Sequence, residues 1–344
     1  MHTIEEFRKL QNLPFERKIL ITQTRIIEWY QKFDGQVYIS FSGGKDSTVL
    51  LHIAREIYPD IPAVFVDTGL EYPEIRNFVK TFDNVTILRP KMRFDEVIRK
   101  YGYPIISKEV SECVSQARTT ITRNKYTYKL KQLMGTVLNK DGSKSKFNKE
   151  KYQPLLYVDF KVSSKCCNVM KKGPLHSYEK KSGRFPITAQ MAEESDSRKT
   201  QWLKNGCNGF GMKSPRSNPI SFWTEQDILR YIKESGINIA SVYGDIAYAS
   251  DPDQIPLDIG CVCGKLCTTG CKRTGCVFCG FGAHLEKGEG RFQMLKRTHP
   301  KQYEYCMGGG AYDEDGFWKP SKEGLGMAHV IEVCNQIYGK DFIK

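Results

Sequence analysis

Gln36-Val37-Tyr38-Ile39-Ser40-Phe41, then Ser42-Gly43-Gly44-Lys45-Asp46-Ser47, then Thr48-Val49-Leu50-Leu51-His52-Ile53-Ala54, is the stretch from which the architecture is read. The first six residues form a short apolar run of the kind that makes a buried strand, and the last seven open a helix. The glycine-rich turn between them has a definite chemistry. Gly43 and Gly44 let the backbone come close to a ligand, and the N–H groups at the start of a helix face an anion. Ser42 and Ser47 add hydroxyl donors, Lys45 adds a mobile positive charge, and Asp46 is placed to hold Mg²⁺ or the turn itself. The spacing of glycines and lysine differs from that of a Walker loop.

Working outward, Pro62-Ala63-Val64-Phe65-Val66-Asp67 reads as a second strand, Tyr72-Pro73-Glu74 starts a helix, and Asn84-Val85-Thr86-Ile87-Leu88 is a third strand. Strands alternating with helices predict a doubly wound parallel α/β sheet. Residues 1–34 form a helical region, with apolar positions Phe7, Leu10, Leu13, Ile19, Ile26, Ile27 and Trp29. The α/β domain spans residues 35–255, with a basic insertion or arm at about 115–160 where the alternation is lost. Patterning resumes at Phe185-Pro186-Ile187-Thr188. Trp223 to Ile232 reads as an amphipathic helix capped by Thr224, with Trp223 in the core. Residues 256–344 make a Cys-rich and then helical C-terminal region.

The 344 residues include 40% apolar and 12% aromatic side chains, enough for a large core and against general disorder. No apolar run reaches the length of a membrane span, and the first residues lack the apolar segment of a secretory signal. A cytoplasmic protein is expected. The formal charge is +13, and from Arg118 to Lys181 sixteen Lys and Arg stand against four Asp and Glu, interleaved with Tyr126, Tyr128, Phe147, Tyr152 and Tyr157. Such a stretch suits a polyanionic partner, tRNA or DNA, or else is a solvated insertion.

Twelve cysteines without a signal peptide do not read as disulfides. Cys166 and Cys167 are adjacent, and Cys261, Cys263, Cys267, Cys271, Cys276 and Cys279 cluster, which in a reducing compartment points to metal. Cys261, Cys263, Cys267 and Cys271 could bind Zn²⁺, one could carry a persulfide, or some are simply small apolar side chains. Cys113, Cys207, Cys306 and Cys334 stand alone and read as core.

The turn resembles the PP-loop of the N-type ATP pyrophosphatases in the adenine-nucleotide α-hydrolase superfamily. The likeness extends through Val66-Asp67-Thr68-Gly69-Leu70-Glu71-Tyr72-Pro73-Glu74, Lys165-Cys166-Cys167-Asn168, Ile187-Thr188-Ala189-Gln190-Met191-Ala192-Glu193-Glu194-Ser195 with Arg198, Asn218-Pro219-Ile220, and Gly275-Cys276-Val277-Phe278-Cys279. These segments, in this order over about residues 35–285, are similar to the phosphoadenylylsulfate (PAPS) reductase family. What the resemblance implies is ATP bound with Mg²⁺ by Ser42, Gly43, Gly44, Lys45, Asp46, Ser47, Asp67, Thr68 and Gly69. Lys45, Asp46 and Asp67 would be catalytic, and a 4Fe–4S cluster would sit on Cys166, Cys167, Cys276 and Cys279. Asp67 would serve Mg²⁺ or the ribose, or else cap a helix; Glu71 and Glu74 suit capping. Glu193, Glu194 and Arg198 suit an acceptor or phosphate as well as a surface salt bridge. His176 and His284 suit structural roles.

The intact turn suits ATP itself, whereas the family's reductases bind a ready-made sulfonucleotide. The sequence closes on Tyr338-Gly339-Lys340-Asp341-Phe342-Ile343-Lys344 without the reductases' Glu-Cys-Gly nucleophile, and Met191 replaces the usual arginine of the substrate loop. The expected function is therefore ATP-dependent sulfur transfer. ATP adenylylates a nucleic-acid oxygen and releases pyrophosphate, and a donor such as a cysteine desulfurase supplies sulfur. That is the character of the ATP pyrophosphatase of DNA phosphorothioation and of iron–sulfur tRNA thiolation enzymes. The alternatives are an adenylylsulfate or phosphoadenylylsulfate reductase, a small-subunit type of ATP sulfurylase, and a non-enzymatic nucleic-acid-binding iron–sulfur protein.

Overall fold

The computed structural model describes residues 1–248 and 264–344. They fall into two compact units, each assembled from separated stretches. The first comprises Met1–Asp67, Glu71–Leu88 and Leu175–Thr274, and the second Thr68–Leu70, Arg89–Pro174 and Gly275–Lys344.

The first unit is built on a six-stranded sheet. Its order is Val85–Leu88 (β3), Ala63–Val66 (β2), Val37–Ser40 (β1), Phe185–Thr188, Arg216–Ser217 and Asn208–Gly209. The first five pair in parallel, and the last pair is antiparallel. In β1, Val37, Tyr38 and Ile39 are all buried, because a central parallel strand is covered on both faces and needs an unbroken apolar run. In β3 the Ile87 side chain is exposed, which suits an edge strand.

Strand order runs outward from β1 to β3 and then jumps back to Phe185–Thr188 on the other side of β1. Ser40 pairs with Val64 on one side and Thr188 on the other. Such a switch point opens a crevice at the C-terminal ends of the strands, where ligands of open α/β sheets bind. The turn at Ser42 leaves β1 at that end.

Helices Ile4–Gln11 (α1) and Phe15–Lys32 (α2) divide at Pro14. The Trp223 indole N–H donates to Thr22 Oγ1 at 3.0 Å, and Lys18 pairs with Asp227 at 2.7 Å, so α2 is tied to Glu225–Ser235. Thr224 caps that helix with a reciprocal bond to Asp227. The helix Lys45–Ile57 (α3) buries Val49, Leu50, Leu51, Ile53 and Ala54, and Pro73–Val79 (α4) follows β2.

The second unit is mostly helical: Phe94–Tyr101, Lys108–Thr122, Tyr128–Leu133, Arg291–Thr298, Pro300–Met307 and Met327–Tyr338, with short strands Ile105–Ile106 and Gly280–Phe281 in parallel. Most of the basic stretch expected as an insertion or arm lies in this unit and has a core of its own in Leu130, Leu133, Leu155 and Leu156. Arg118 organises it by donating to the carbonyls of Leu155, Leu156, Val158 and Phe160 at 2.6–3.0 Å. Burial lowers the Arg118 pKa to about 10. Among the described residues no helix is long and apolar enough to cross a membrane.

Candidate functional site: a glycine turn and a group of four thiols

The turn forms as its residue types dictate. Gly43 has φ +71°, and a Cβ there would lie 2.7 Å from Val79 and 2.8 Å from Ile75 of α4, so glycine is required twice over. Ser47 Oγ accepts from the Ser42 N–H at 3.1 Å, donates to the Gly44 carbonyl at 2.9 Å, and lies 3.0 Å from Ser42 Oγ. These bonds draw the two ends of the turn together. α3 begins at Lys45, so the turn presents a helix N-terminus with its unpaired N–H groups and positive dipole end.

Lys45 is buried. Its ammonium donates to the Lys272 carbonyl at 3.2 Å and pairs with Glu225 at 3.2 Å and Asp46 at 3.7 Å. Asp46 Oδ1 is buried without a hydrogen-bond partner. Burial raises the Asp46 pKa, and Lys45 and Arg273 partly offset it. A buried carboxylate oxygen without a hydrogen-bond partner is a suitable donor for Mg²⁺. The Lys45 backbone N–H is occupied by the Tyr243 hydroxyl.

Arg198 and Arg273 lie beside the turn, both linked to Glu194. The Arg198 guanidinium is lowered from its ordinary value by burial and then by the neighbouring Arg273. Glu193 accepts the Glu225 N–H at 2.9 Å and so serves as a helix cap. Asp67, at the end of β2, is held by Arg76 at 3.1 Å and is nearly buried. Thr68 and Gly69 belong to the second unit, where Thr68 Oγ1 accepts the Leu70 N–H and Gly69 adopts φ +75° with open space around it.

Four residues at the turn escape sequence reading: Tyr243, Thr274, Lys272 (through its carbonyl) and Glu225. Glu225 was legible only as a helix start, and Thr274 only as the residue before Gly275-Cys276.

In the second unit the chain brings Cys166, Cys167, Cys276 and Cys279 within electrostatic reach of one another. Cys166 and Cys167 Sγ are 4.0 Å apart at the start of the helical turn that continues through Asn168–Lys172. Cys276 and Cys279 close a tight turn, with the Cys279 N–H on the Cys276 carbonyl at 3.1 Å. The Cys167 thiol is held well below the ordinary thiol range, first by the bond from Cys166 and then by Lys108 and Lys171. Cys166 is pushed up by that same bond, by burial and by the other thiols. Cys279 is pushed up to about 11, by burial first and then by Cys276.

Among the described residues no three His, Cys, Asp or Glu side chains converge to hold a single ion. A four-iron cluster asks for something wider, one thiolate for each iron, and this donor set with lysines nearby fits that requirement. Cys261 and Cys263 lie outside the described residues. Cys267 is half-buried, and Cys271 is buried with its thiol on the Arg273 carbonyl at 2.9 Å. Cys113, Cys207, Cys306 and Cys334 are all buried, Cys113 with its thiol on the Lys129 carbonyl at 3.2 Å and Cys207 accepting from the Ser221 hydroxyl at 3.4 Å.

The basic stretch exposes Tyr126, Tyr128, Phe147 and Tyr157. Lys131 lies over the Tyr126 ring and Lys146 over Phe147. Lys144 and Lys149 are engaged by Glu150 and Glu109, and Arg118 is turned inward.

A family model described as the phosphoadenosine phosphosulfate reductase domain matches residues 36–113 and 98–280, well over half of the chain, and the chain belongs to that family. Among curated proteins it is 24% identical over 267 residues to an adenosine 5′-phosphosulfate reductase of Staphylococcus epidermidis, covering 74% of this chain and 84% of that protein. It is 27% identical over 244 residues to a sulfate adenylyltransferase subunit 2 of Shewanella frigidimarina, covering 66% and 69%. An uncharacterized protein of Methanocaldococcus jannaschii is 35% identical over 94 residues, and the chain spans only 23% of that protein's length. Among solved structures, a phosphoadenylyl-sulfate reductase from Candida auris in complex with phosphate aligns with a TM-score of 0.36 and 15% identity, over 70% of this chain and 91% of that one.

Proposed function

We propose that this protein is an enzyme of sulfonucleotide chemistry whose reaction is the two-electron reduction of adenylylsulfate, or its 3′-phosphorylated form, to sulfite. The observation that carries this reading is the grouping of Cys166, Cys167, Cys276 and Cys279 in one unit of a chain from this family. The match along most of an adenosine 5′-phosphosulfate reductase supports it. Likeness to this reductase and to the family favours reduction over the sulfur transfer to nucleic acid expected from the sequence.

In this reaction the sulfur–oxygen bond to the nucleotide breaks and AMP leaves with the oxygen. Sulfite retains the electron pair supplied by a dithiol, which becomes a disulfide. The Ser42–Ser47 turn holds the nucleotide's charged end by backbone N–H groups and Lys45. Cys166, Cys167, Cys276 and Cys279 would hold a 4Fe–4S cluster, which supplies redox chemistry when bound.

A second reading has its own support. The turn is complete, and a sulfate adenylyltransferase subunit is among the relatives. In that reading Mg²⁺-ATP is cleaved between its α- and β-phosphates, and AMP passes to an acceptor. The acceptor is sulfate or, given the basic tyrosine-bearing stretch, tRNA or DNA, with sulfur from a partner such as a cysteine desulfurase.

One experiment separates the two readings. Anaerobically purified protein is given adenylylsulfate with a dithiol, and in parallel ATP with sulfate, tRNA or DNA. Sulfite and AMP from the first mixture are the expected result. Pyrophosphate from the second, with no sulfite from the first, would replace the reductase by the adenylyl-transfer reading.

A further inference from the structure

The anion-binding turn is covered by its own chain. The N–H of Lys45, the first residue of α3, has no partner within the helix, and here it donates to the Tyr243 hydroxyl at 3.1 Å. That hydroxyl is 2.5 Å from Thr274 Oγ1. A Cβ added to Gly44 would lie 3.3 Å from both hydroxyl oxygens, so the pair sits directly over the turn. On the other side of the same residue, the Lys45 ammonium is taken by the Lys272 carbonyl and by Glu225, each at 3.2 Å, and lies 5.8 Å from the centre of the Tyr243 ring. The segment Lys272–Thr274 thus reaches Lys45 twice, through a carbonyl to its side chain and through Thr274 and Tyr243 to its backbone. Tyr243 is 2% exposed and Lys45 3% exposed, so water is largely shut out of these bonds. Burial pushes the Tyr243 phenol up to about 12, which keeps it an uncharged hydroxyl at neutral pH.

We propose that Tyr243, clamped by Thr274, is a displaceable cap on the phosphate position. An entering anion exchanges with the phenol at the Lys45 N–H, and with Lys272 and Glu225 at the Lys45 ammonium. Nucleotide binding is thereby coupled to withdrawal of the Lys272–Thr274 strap from the turn. The direction follows from the acceptors involved, since a charged phosphate oxygen is a stronger partner for a helix N-terminus than a neutral hydroxyl. The bonds that must be given up reduce the affinity below that of an open turn. Tyr243 is in this sense a positioning residue. The inference rests on the reading of the turn as a phosphate site.

The test uses the full chain, with the variants Tyr243→Phe, which keeps the ring, and Thr274→Val, which loosens the clamp. Two measurements are made: calorimetric binding of pyrophosphate and of ATP, and hydrogen exchange at the Lys45 amide without nucleotide. The cap predicts pyrophosphate binding about 3- to 10-fold tighter in Tyr243→Phe, the size of one lost competing hydrogen bond. It also predicts faster Lys45 exchange, and smaller changes of the same sign in Thr274→Val. Equal or weaker binding by Tyr243→Phe, with the wild type binding normally, would overturn the cap and make the phenol a phosphate ligand or a bystander. If the wild type itself binds neither pyrophosphate nor ATP, the phosphate reading of the turn fails, and the cap with it.

Discussion

The Lys45 ammonium stands 3.2 Å from a Glu225 carboxylate oxygen, so the charge that the turn would offer to a phosphate is already partly neutralised by the helix Glu225–Ser235. The pair is half-open, because Lys45 is buried while the Glu225 side chain is 42% exposed. Glu225→Gln should therefore strengthen pyrophosphate binding by a modest factor, about 2- to 5-fold at low salt. The gain should shrink at high ionic strength as screening weakens the freed charge. Calorimetric titrations at two salt concentrations measure this, and an unchanged affinity would mean that Glu225 does not compete with the anion.

Gly43 and Gly69 make a matched pair of left-handed glycines in different surroundings. Gly43→Ala must accept the strained φ and a clash with Ile75 and Val79, whereas Gly69→Ala meets open space. Denaturant unfolding should show a loss of about 2–4 kcal/mol for Gly43→Ala and about 1 kcal/mol for Gly69→Ala. Equal losses would remove the steric account of the turn.

Asp46 provides a pH test. Its carboxyl is raised by burial, so the folded chain binds that proton more tightly than the unfolded chain does. Stability from this source is greatest below the ordinary carboxylate pKa and falls as pH rises through the raised value. Without nucleotide, Asp46→Asn should leave acid stability nearly unchanged and raise stability at neutral pH by about 1 kcal/mol. Mg²⁺-ATP should then stabilise the wild type more than the variant. A variant less stable than the wild type at neutral pH would show that Lys45 outweighs burial.

The four thiols make the firmest analytical prediction. Protein purified without oxygen should carry about four irons per chain and the brown absorbance of a cluster. Serine at Cys166, Cys167, Cys276 or Cys279 should abolish it, while Cys334→Ser, at a buried apolar position, should not. Iron and zinc analysis of each variant decides the matter; a zinc-only wild type would falsify the assignment.

Much of the first unit was legible because its signals are local. An apolar run, two glycines, a lysine and a second apolar run within about twenty residues specify strand, turn and helix, and β1, α3, β2, α4 and β3 follow that pattern. Thr224 as a cap was legible for the same reason, since its partner Asp227 is three residues away. The basic stretch was legible as charge but not as structure. Its helices are held by Arg118 through carbonyls about forty residues later, and backbone carbonyls leave no trace in residue identity.

By itself, the sequence determined the parallel α/β plan, the glycine turn from Ser42 to Ser47 and the cysteines available to a cluster, because each depends on residue types at short spacing. Only the tertiary structure decided what meets Lys45. Tyr243, Lys272 and Glu225 lie about two hundred residues from it in the chain, and one phenol, one carbonyl and one glutamate carry no motif. It also decided that the two units are assembled from interleaved stretches of chain. The physical reason is the same in both cases. Hydrogen bonds and ion pairs act over a few ångströms of space, and only the folded path of the chain fixes which distant residues come that close.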